Sequence, residues 1–406
     1  MMKNMWFTLY PDTFLWLKEH KGLIYRVENN SQFVFEVSAD IQAICKQLLI
    51  LENLYTVEIS DEYNSSGEIK QWIDKLIEIQ AGYLSIDTGM ENKPVSFQPV
   101  LKINNGIEYY KYLNENGTGG GIIQNLYELT FYFNHSKYGN NEYYKQTIFP
   151  LKDSQPLELD KIFAFINNSK NSFLNNVNLV GDIFSYPQCQ EMIECIASSP
   201  FLYTMYFTIQ DLVNHINEVE SISWPENVNF NIVFDLLPEN SYTQAIKKLK
   251  TPLICTFLVD SEDSLERVVE ITEKQDIYQN SRIIPLYNGH NHSFFESFVF
   301  VNQQEMDEID LSKNDIFMRQ TVNMHDFGKL TILPDNKVYA NVNFSPLGNV
   351  DDFIYPIVYK EMTSGESWFR IREQLPCKDC IYQWLCPSPS SYETVIGRPN
   401  LCHINN

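Results

Sequence analysis

The sequence predicts an α/β protein built around a partial (β/α) barrel. Between about residue 99 and residue 316 short β segments alternate with amphipathic helices, which argues for a parallel sheet with helices packed on it. A smaller unit of strands followed by helices fills residues 1–86, and a cysteine-rich tail occupies 317–406. With 406 residues, 44% of them hydrophobic and 14% aromatic, the chain can bury two or three cores.

In the first unit, Phe14 to Leu17, Leu23 to Val27 and Phe33 to Val37 read as three short strands joined by turns at Lys21-Gly22 and Asn29-Asn30-Ser31. Ser38 can cap a helix with Ile41, Ile44, Cys45, Leu48 and Leu49 on its buried face. A second helix, Glu68 to Ile79, would bury Ile69, Trp72, Ile73, Leu76 and Ile77. Residues 87–98, with Gly89, Asn92 and Pro94, read as a linker.

The strands expected in 99–316 are Leu126 to Phe133, Val177 to Val180, Tyr203 to Thr208, Phe230 to Phe234, Leu253 to Val259 and Arg282 to Leu286. Helices are expected at Leu157 to Asn167, Pro187 to Ala197 and Ser261 to Lys274. Gly117 to Gly121 precedes a strand and lacks the Lys-Ser/Thr ending of a nucleotide loop, so it reads as a flexible connection. Beyond Phe317 the chain looks irregular apart from a hairpin, Leu330 to Val342, around Pro334-Asp335-Asn336.

A net charge of −22 would repel nucleic acid and anionic membranes at long range. Met1 to Pro11 carries no basic leader with an apolar stretch, and no segment approaches the ~18 apolar residues of a membrane span. The expectation is a soluble, cytoplasmic protein that engages neither nucleic acid nor membrane.

Four of the eight cysteines crowd into the tail as Cys377, Cys380, Cys386 and Cys402, spaced C-x2-C-x5-C-x15-C. Two close thiols on a turn preorganise a pair of ligands, and two more returning from a loop can complete a thiolate set for zinc or an iron–sulfur cluster. Ordinary buried thiols are the alternative, and spacing alone does not separate zinc from iron. Cys189 and Cys195 fall within a predicted helix and read as core thiols. His290 and His292 read as a solvated turn, and His403 stands where it can hydrogen-bond Cys402.

With those residues in view, 330–403 resembles the SPASM extension of radical-SAM peptide maturases, whose later cysteine run is C-x2-C-x5-C-x3-C followed by a last cysteine. The resemblance implies that Cys377, Cys380, Cys386 and Cys402 hold an auxiliary [4Fe–4S] cluster, with zinc the fallback. Ser390 stands in place of the x3 cysteine, Asn341 in place of the cysteine after Pro334-Asp335-Asn336, and no cysteine lies in 318–330, where only His325 could substitute. The ligands of the other auxiliary cluster are therefore missing together. Asn178 to Phe184 resembles the segment with which radical-SAM barrels hold S-adenosylmethionine, with only Gly181 matching outright. After the strand ending at Phe133 the family places C-x3-C-x2-C, whereas this chain reads Asn134-His135-Ser136-Lys137-Tyr138-Gly139-Asn140-Asn141 and has no cysteine between Cys45 and Cys189. Without those thiolates the resemblance implies no functional S-adenosylmethionine cluster and no catalytic residues.

The whole is similar to the degenerate radical-SAM proteins that accompany true radical-SAM maturases in Bacteroidales peptide systems with Gly-Gly leaders. Cys386-Pro387-Ser388-Pro389-Ser390-Ser391-Tyr392-Glu393 resembles their tail. The resemblance implies a non-catalytic accessory or scaffold role, with a ribosomal precursor peptide and a catalytic maturase as partners. The 1–86 unit resembles a winged-helix peptide-recognition module of the PqqD type. Its exposed edge, Phe33, Val34, Phe35 and Val37, would take a leader as an added strand, remote from the cysteine site. A structural cap on the barrel is the alternative for that unit. For the whole chain, the alternatives are an enzyme using the barrel cavity and the surviving cluster for a redox reaction, or a structural metal-binding subunit.

Overall fold

The computed structural model describes residues 5–59, 63, 66–86, 93–101, 106–235, 237, 240–249, 251–274 and 276–404. The first unit holds two three-stranded antiparallel sheets. β1 (Met5–Leu9) lies between β5 (Thr56–Glu58) and β6 (Gly82–Ile86), and β3 (Lys21–Arg26) lies between β2 (Thr13–Leu17) and β4 (Ser31–Glu36). The sequence pattern anticipated β2 to β4. It did not anticipate β1, which buries Phe7 and Leu9.

Helix Ala39–Leu48 starts where Ser38 accepts the Ile41 amide, and helix Gly67–Glu78 starts in the same way at Ser66. The two helices bury the i, i+3, i+4, i+7 stripes Ile41, Ile44, Cys45, Leu48 and Ile69, Trp72, Ile73, Leu76 against the sheets. Leu49 and Ile77, expected on those faces, are exposed, because Leu49 has already left the helix and Ile77 lies past the edge of the stripe. Of the linker, 87–92 falls outside the described residues. The rest is tied down, with the Ser96 amide on the Leu54 carbonyl at 2.8 Å and Gln98 Nε2 on the Leu48 carbonyl at 2.7 Å.

The main body is a nine-stranded sheet. β7 (Glu128–Tyr132), β8 (Asn176–Val180), β9 (Leu202–Thr208), β10 (Val228–Phe234), β11 (Leu253–Val259) and β12 (Ser281–Pro285) pair in chain order and all in parallel. β13 (Lys329–Ile332) joins the free side of β7 in parallel, and β14 (Lys337–Tyr339) and β15 (Gly348–Asn349) continue it antiparallel. The expected boundary at 316/317 thus separates no sheet. Among the described residues no pairing links β12 to β15, so the mostly parallel sheet does not close into a full barrel.

Parallel strands covered on both faces usually read as continuous apolar runs. These strands alternate instead. Leu129, Phe131, Val177, Leu179, Met205, Phe207, Phe230, Ile232 and Phe257 join the core with Ile162, Phe165, Met192 and Ile196 of helices Leu159–Asn168 and Cys189–Ala197. The other face carries Thr130, Asn176, Asn178, Thr204, Asn231 and Thr256. They bond one another, Asn178 Nδ2 to Thr130 Oγ1 at 3.0 Å and Thr256 Oγ1 to Asn231 Oδ1 at 2.8 Å.

Two expectations fail locally. Gly119–Asn125 forms a 3₁₀ turn where a flexible connection was expected. A Cβ on Gly119 would lie 2.4 Å from Tyr355 Oη, so a larger residue there would have to push the Tyr355 hydroxyl aside on helix Ile354–Ser364. That helix, inside the stretch that looked irregular, buries Ile354, Ile357, Val358 and Met362. Pro356 sits in its first turn, where a missing N–H breaks no helix bond. No helix among the described residues is long and apolar enough to cross a membrane.

Candidate functional site

The tail brings its four cysteines to one place from two segments. A 3₁₀ turn, Cys377–Asp379, is closed by the Cys380 amide on the Cys377 carbonyl, and the Cys386 amide reaches the Tyr382 carbonyl. Cys402 is positioned by Val301, whose N–H bonds the Leu401 carbonyl at 3.0 Å and whose carbonyl accepts the His403 amide at 2.9 Å. All eight cysteines are free thiols. Burial pushes the Cys386 thiol up to about 12, the nearby Arg372 guanidinium opposes that rise, and Cys380, Cys402 and Cys377 add to it. Burial also raises Cys380, with the Tyr382 amide working against it and Cys402 and Cys377 adding to it.

Donors surround the sulfurs. The Ile404 amide lies 3.2 Å from Cys402 Sγ, and Arg372 Nη1 lies 3.7 Å from Cys377 Sγ. His403 does not serve Cys402 as expected, since its Nε2 is engaged at 2.6 Å by the Glu296 carbonyl. Of the chain's seven arginines, Arg319, Arg370, Arg372 and Arg398 cluster here. Thiols in number, amide donors and compensating cations make a donor set whose chemistry suits a thiophilic metal. Among the described residues no three His, Cys, Asp or Glu side chains stand arranged to hold an ion as they are.

The positions where the resemblance expects further cysteines are occupied by hydrogen bonds. Asn341 Nδ2 reaches both Asp326 carboxylate oxygens at 3.1 Å and Ser391 Oγ at 3.2 Å. Ser367 Oγ bonds the same carboxylate at 2.8 Å, and Arg370 pairs with it at 3.5 Å. Ser390 caps helix Ser391–Ile396 together with Glu393, which Arg372 holds at 3.0 Å. His325 lies beside this network. Burial pulls it below the usual imidazole range.

The loop after β7 is likewise spoken for. Asn134 Nδ2 donates to the Asp182 carbonyl at 2.7 Å and to Ser185 Oγ at 3.1 Å, and Ser136 Oγ donates to the buried Asp211 carboxylate at 2.7 Å. Asp211 also boxes Thr208 at the start of helix Ile209–Asn214. Gly181 has φ +138°, and a Cβ there would lie 2.1 Å from the Asn134 carbonyl oxygen. Of the two helical thiols, Cys189 packs against the core, and both Cys189 and Cys195 are half-buried.

Two cavities matter. One, of about 320 Å³, opens on the polar face of the sheet between Glu128, Thr130, Tyr132, Lys145, His325, Lys329 and Asn341. The other is a groove of about 680 Å³ between the first unit and the cysteine loop, bounded by Lys18, His20, Lys21 and Val34 on one side and by Asp379, Cys380, Ile381, Tyr382 and Gln303 on the other. The edge of β4 is therefore not remote from the cysteine site, as expected, but beside it. Phe14, Leu23, Tyr25 and Val34 of the β2–β4 sheet pack directly with Met306, Ile316, Cys380, Tyr382 and Leu385.

The four residues expected at the peptide edge divide. Phe33 and Phe35 turn inward, with the Phe35 ring 5.4 Å from that of Trp72, so they hold the first unit together and offer no pocket. Val37 lies just past β4 and closes the hairpin by donating to the His20 carbonyl at 2.9 Å. Alternation from that bond leaves the main-chain groups of Gln32, Val34 and Glu36 pointing away from β3, and no other described strand pairs with them.

Lys18, Gln383 and Arg372 join the site without having been expected there. Lys18 Nζ crosses to the cysteine loop, donating to the Lys378 carbonyl at 2.6 Å and to Gln383 Oε1 at 2.7 Å. Gln383 Nε2 in turn donates to the Arg372 carbonyl at 2.7 Å. The crowding of four of seven arginines into the last quarter of an acidic chain was a readable signal of this region.

No family model and no curated protein matches the chain. It is similar to two solved structures of Streptococcus suis SuiB. With the crystal structure of SuiB bound to precursor peptide SuiA the identity is 11%, coverage 98% of each chain and the TM-score 0.47. With SuiB bound to S-adenosylmethionine the identity is 10%, coverage 97% of each chain and the TM-score 0.42.

Proposed function

We propose that this chain is an accessory subunit in the maturation of a ribosomally made peptide, docking an extended precursor segment and presenting it to a catalytic radical-SAM maturase. The observation that carries the proposal is the open edge of β4, which leaves main-chain groups unpaired by any described strand and whose Val34 lines the groove beside the cysteine loop. An extended peptide gains affinity there by main-chain pairing, while side-chain contacts with the groove fix its register. Cys377, Cys380, Cys386 and Cys402 hold one metal centre, [4Fe–4S] or zinc, that shapes the far wall. The residues after Phe133 supply no thiolates, so the chain does not cleave S-adenosylmethionine.

The register selects the variant that tests the docking edge. Val34 points its N–H away from β3, whereas Phe35 points its N–H at β3, so Val34→Pro removes an outward donor and spares the hairpin. A displayed library of ten-residue segments selected on the full chain is expected to enrich peptides that bind Val34→Pro at least tenfold more weakly. No enrichment, or equal binding to both proteins, sinks the proposal.

The polar cavity on the sheet favours a second reading, in which the chain itself reacts with the peptide it binds. One incubation separates the two. Anaerobic protein with dithionite, S-adenosylmethionine and an enriched peptide is expected to release no 5′-deoxyadenosine above a protein-free control and to leave the peptide mass unchanged. Release of the nucleoside overturns the first reading's chemistry, and a mass change in the peptide transfers the case to the second.

A further inference from the structure

The groove and the cysteine site share a wall. Asp379, Cys380, Ile381 and Tyr382 line the groove, and they are consecutive residues of the loop that carries three of the four thiols. A hydrogen-bonded relay also joins the two. Lys18, on the groove's near side, donates to Gln383; the buried Gln383 donates to the Arg372 carbonyl; and the Arg372 guanidinium lies 3.7 Å from Cys377 Sγ. Lys18 and Gln383 are 365 positions apart, so this contact exists only when the first unit is seated on the tail.

Cys380 itself belongs to the packed cluster that joins Leu23, Tyr25 and Val34 of the first unit to Tyr382 and Leu385 of the loop. Because interiors are close-packed, a change of position at that thiol is passed to its neighbours and is not absorbed. The neighbours on one side are the groove wall and the Lys18 strut.

We infer that occupancy of the groove by an extended peptide and occupancy of the cysteine site by a thiophilic metal are thermodynamically coupled through the Lys18–Gln383–Arg372 relay. This rests on the peptide-docking function proposed above and adds to it a condition: the metal state of the tail sets how tightly the peptide is held. Linkage then requires the converse, that bound peptide changes metal affinity by the same factor.

The test uses full-length protein, reduced and stripped with a chelator, then either left free or given one equivalent of Zn²⁺. The probe is a fluorescein-labelled peptide from the selection above, read by anisotropy. The expected result is a Kd that differs at least fivefold between the two forms. A matching change in Zn²⁺ affinity should appear when the peptide is present. Gln383→Leu cuts the relay without touching the groove lining, and there the ratio should fall toward one. If that variant does not fold, the reciprocal zinc titration of the wild-type chain decides alone. A wild-type protein that takes up no zinc, or whose peptide affinity is the same within twofold with and without it, overturns the coupling while leaving peptide docking intact. A fivefold ratio that survives in folded Gln383→Leu overturns the relay. A peptide that binds neither form removes the docking function instead.

Discussion

Replacing Cys377, Cys380, Cys386 and Cys402 together by alanine is expected to take the metal content of anaerobically purified protein from about four irons per chain, or about one zinc, to none. The effect is large because a structural thiolate set of this kind binds zinc with an apparent ~10–16 kcal/mol, all of which is lost with its four sulfurs. Burial keeps Cys386 protonated at neutral pH, so a metal entering the site displaces a proton and uptake weakens in acid. Cys189→Ala and Cys195→Ala, on a helix outside the site, serve as controls and should leave the content unchanged. Elemental analysis of the purified proteins is the measurement. Metal retained by the fourfold variant would show that these thiols are not the ligands.

Gly181→Ala is expected to destabilise the main body by roughly 2–6 kcal/mol, combining backbone strain of about 1–3 kcal/mol with a similar cost of forced displacement. A φ of +138° is a conformation L side chains rarely adopt, and the new Cβ would meet the Asn134 backbone at 2.1 Å. Neither can be relieved by a side-chain rotation. The damage falls where Asn134 and Ser136 fold the post-β7 loop onto Asp182 and Asp211. Urea denaturation followed by near-ultraviolet circular dichroism should show the loss, with Gly120→Ala, which meets nothing within 4 Å, as the neutral comparison. Equal midpoints for the two variants would remove Gly181 from this role.

The parallel strands were legible because each apolar run is bounded by turn residues and followed by a helical stripe. The alternation inside them carried more than the fold. Asn-Val-Asn-Leu-Val in β8 marks one face of the sheet as polar, the face on which Glu128 and Thr130 of β7 line the cavity. The same period of two assigns Phe33 and Phe35 to one side of β4 and Val34 to the other, so an edge of four equivalent residues was never available. That the four cysteines of the tail come together was legible because thiols at fixed spacing are rare. Their neighbours were not. Lys18 reads as one more surface lysine, and nothing local in residues 13–37 shows that their second face packs on the tail. Tertiary contacts across most of the chain leave no periodic trace, whereas strands and caps do.

The pairing of β13 with β7 has a consequence for how the chain comes to be folded. Lys329 lies opposite Glu128, so β7 waits for a neighbour made some 200 residues later. During synthesis β7 and β8 can find each other early, but the far side of β7 stays bare until the tail emerges from the ribosome. A chain cut short before Leu330 keeps that side bare for good, with the ladder positions of Leu129 and Phe131 open to any passing strand. The tail that carries the cysteines is therefore also the piece that covers the exposed side of β7.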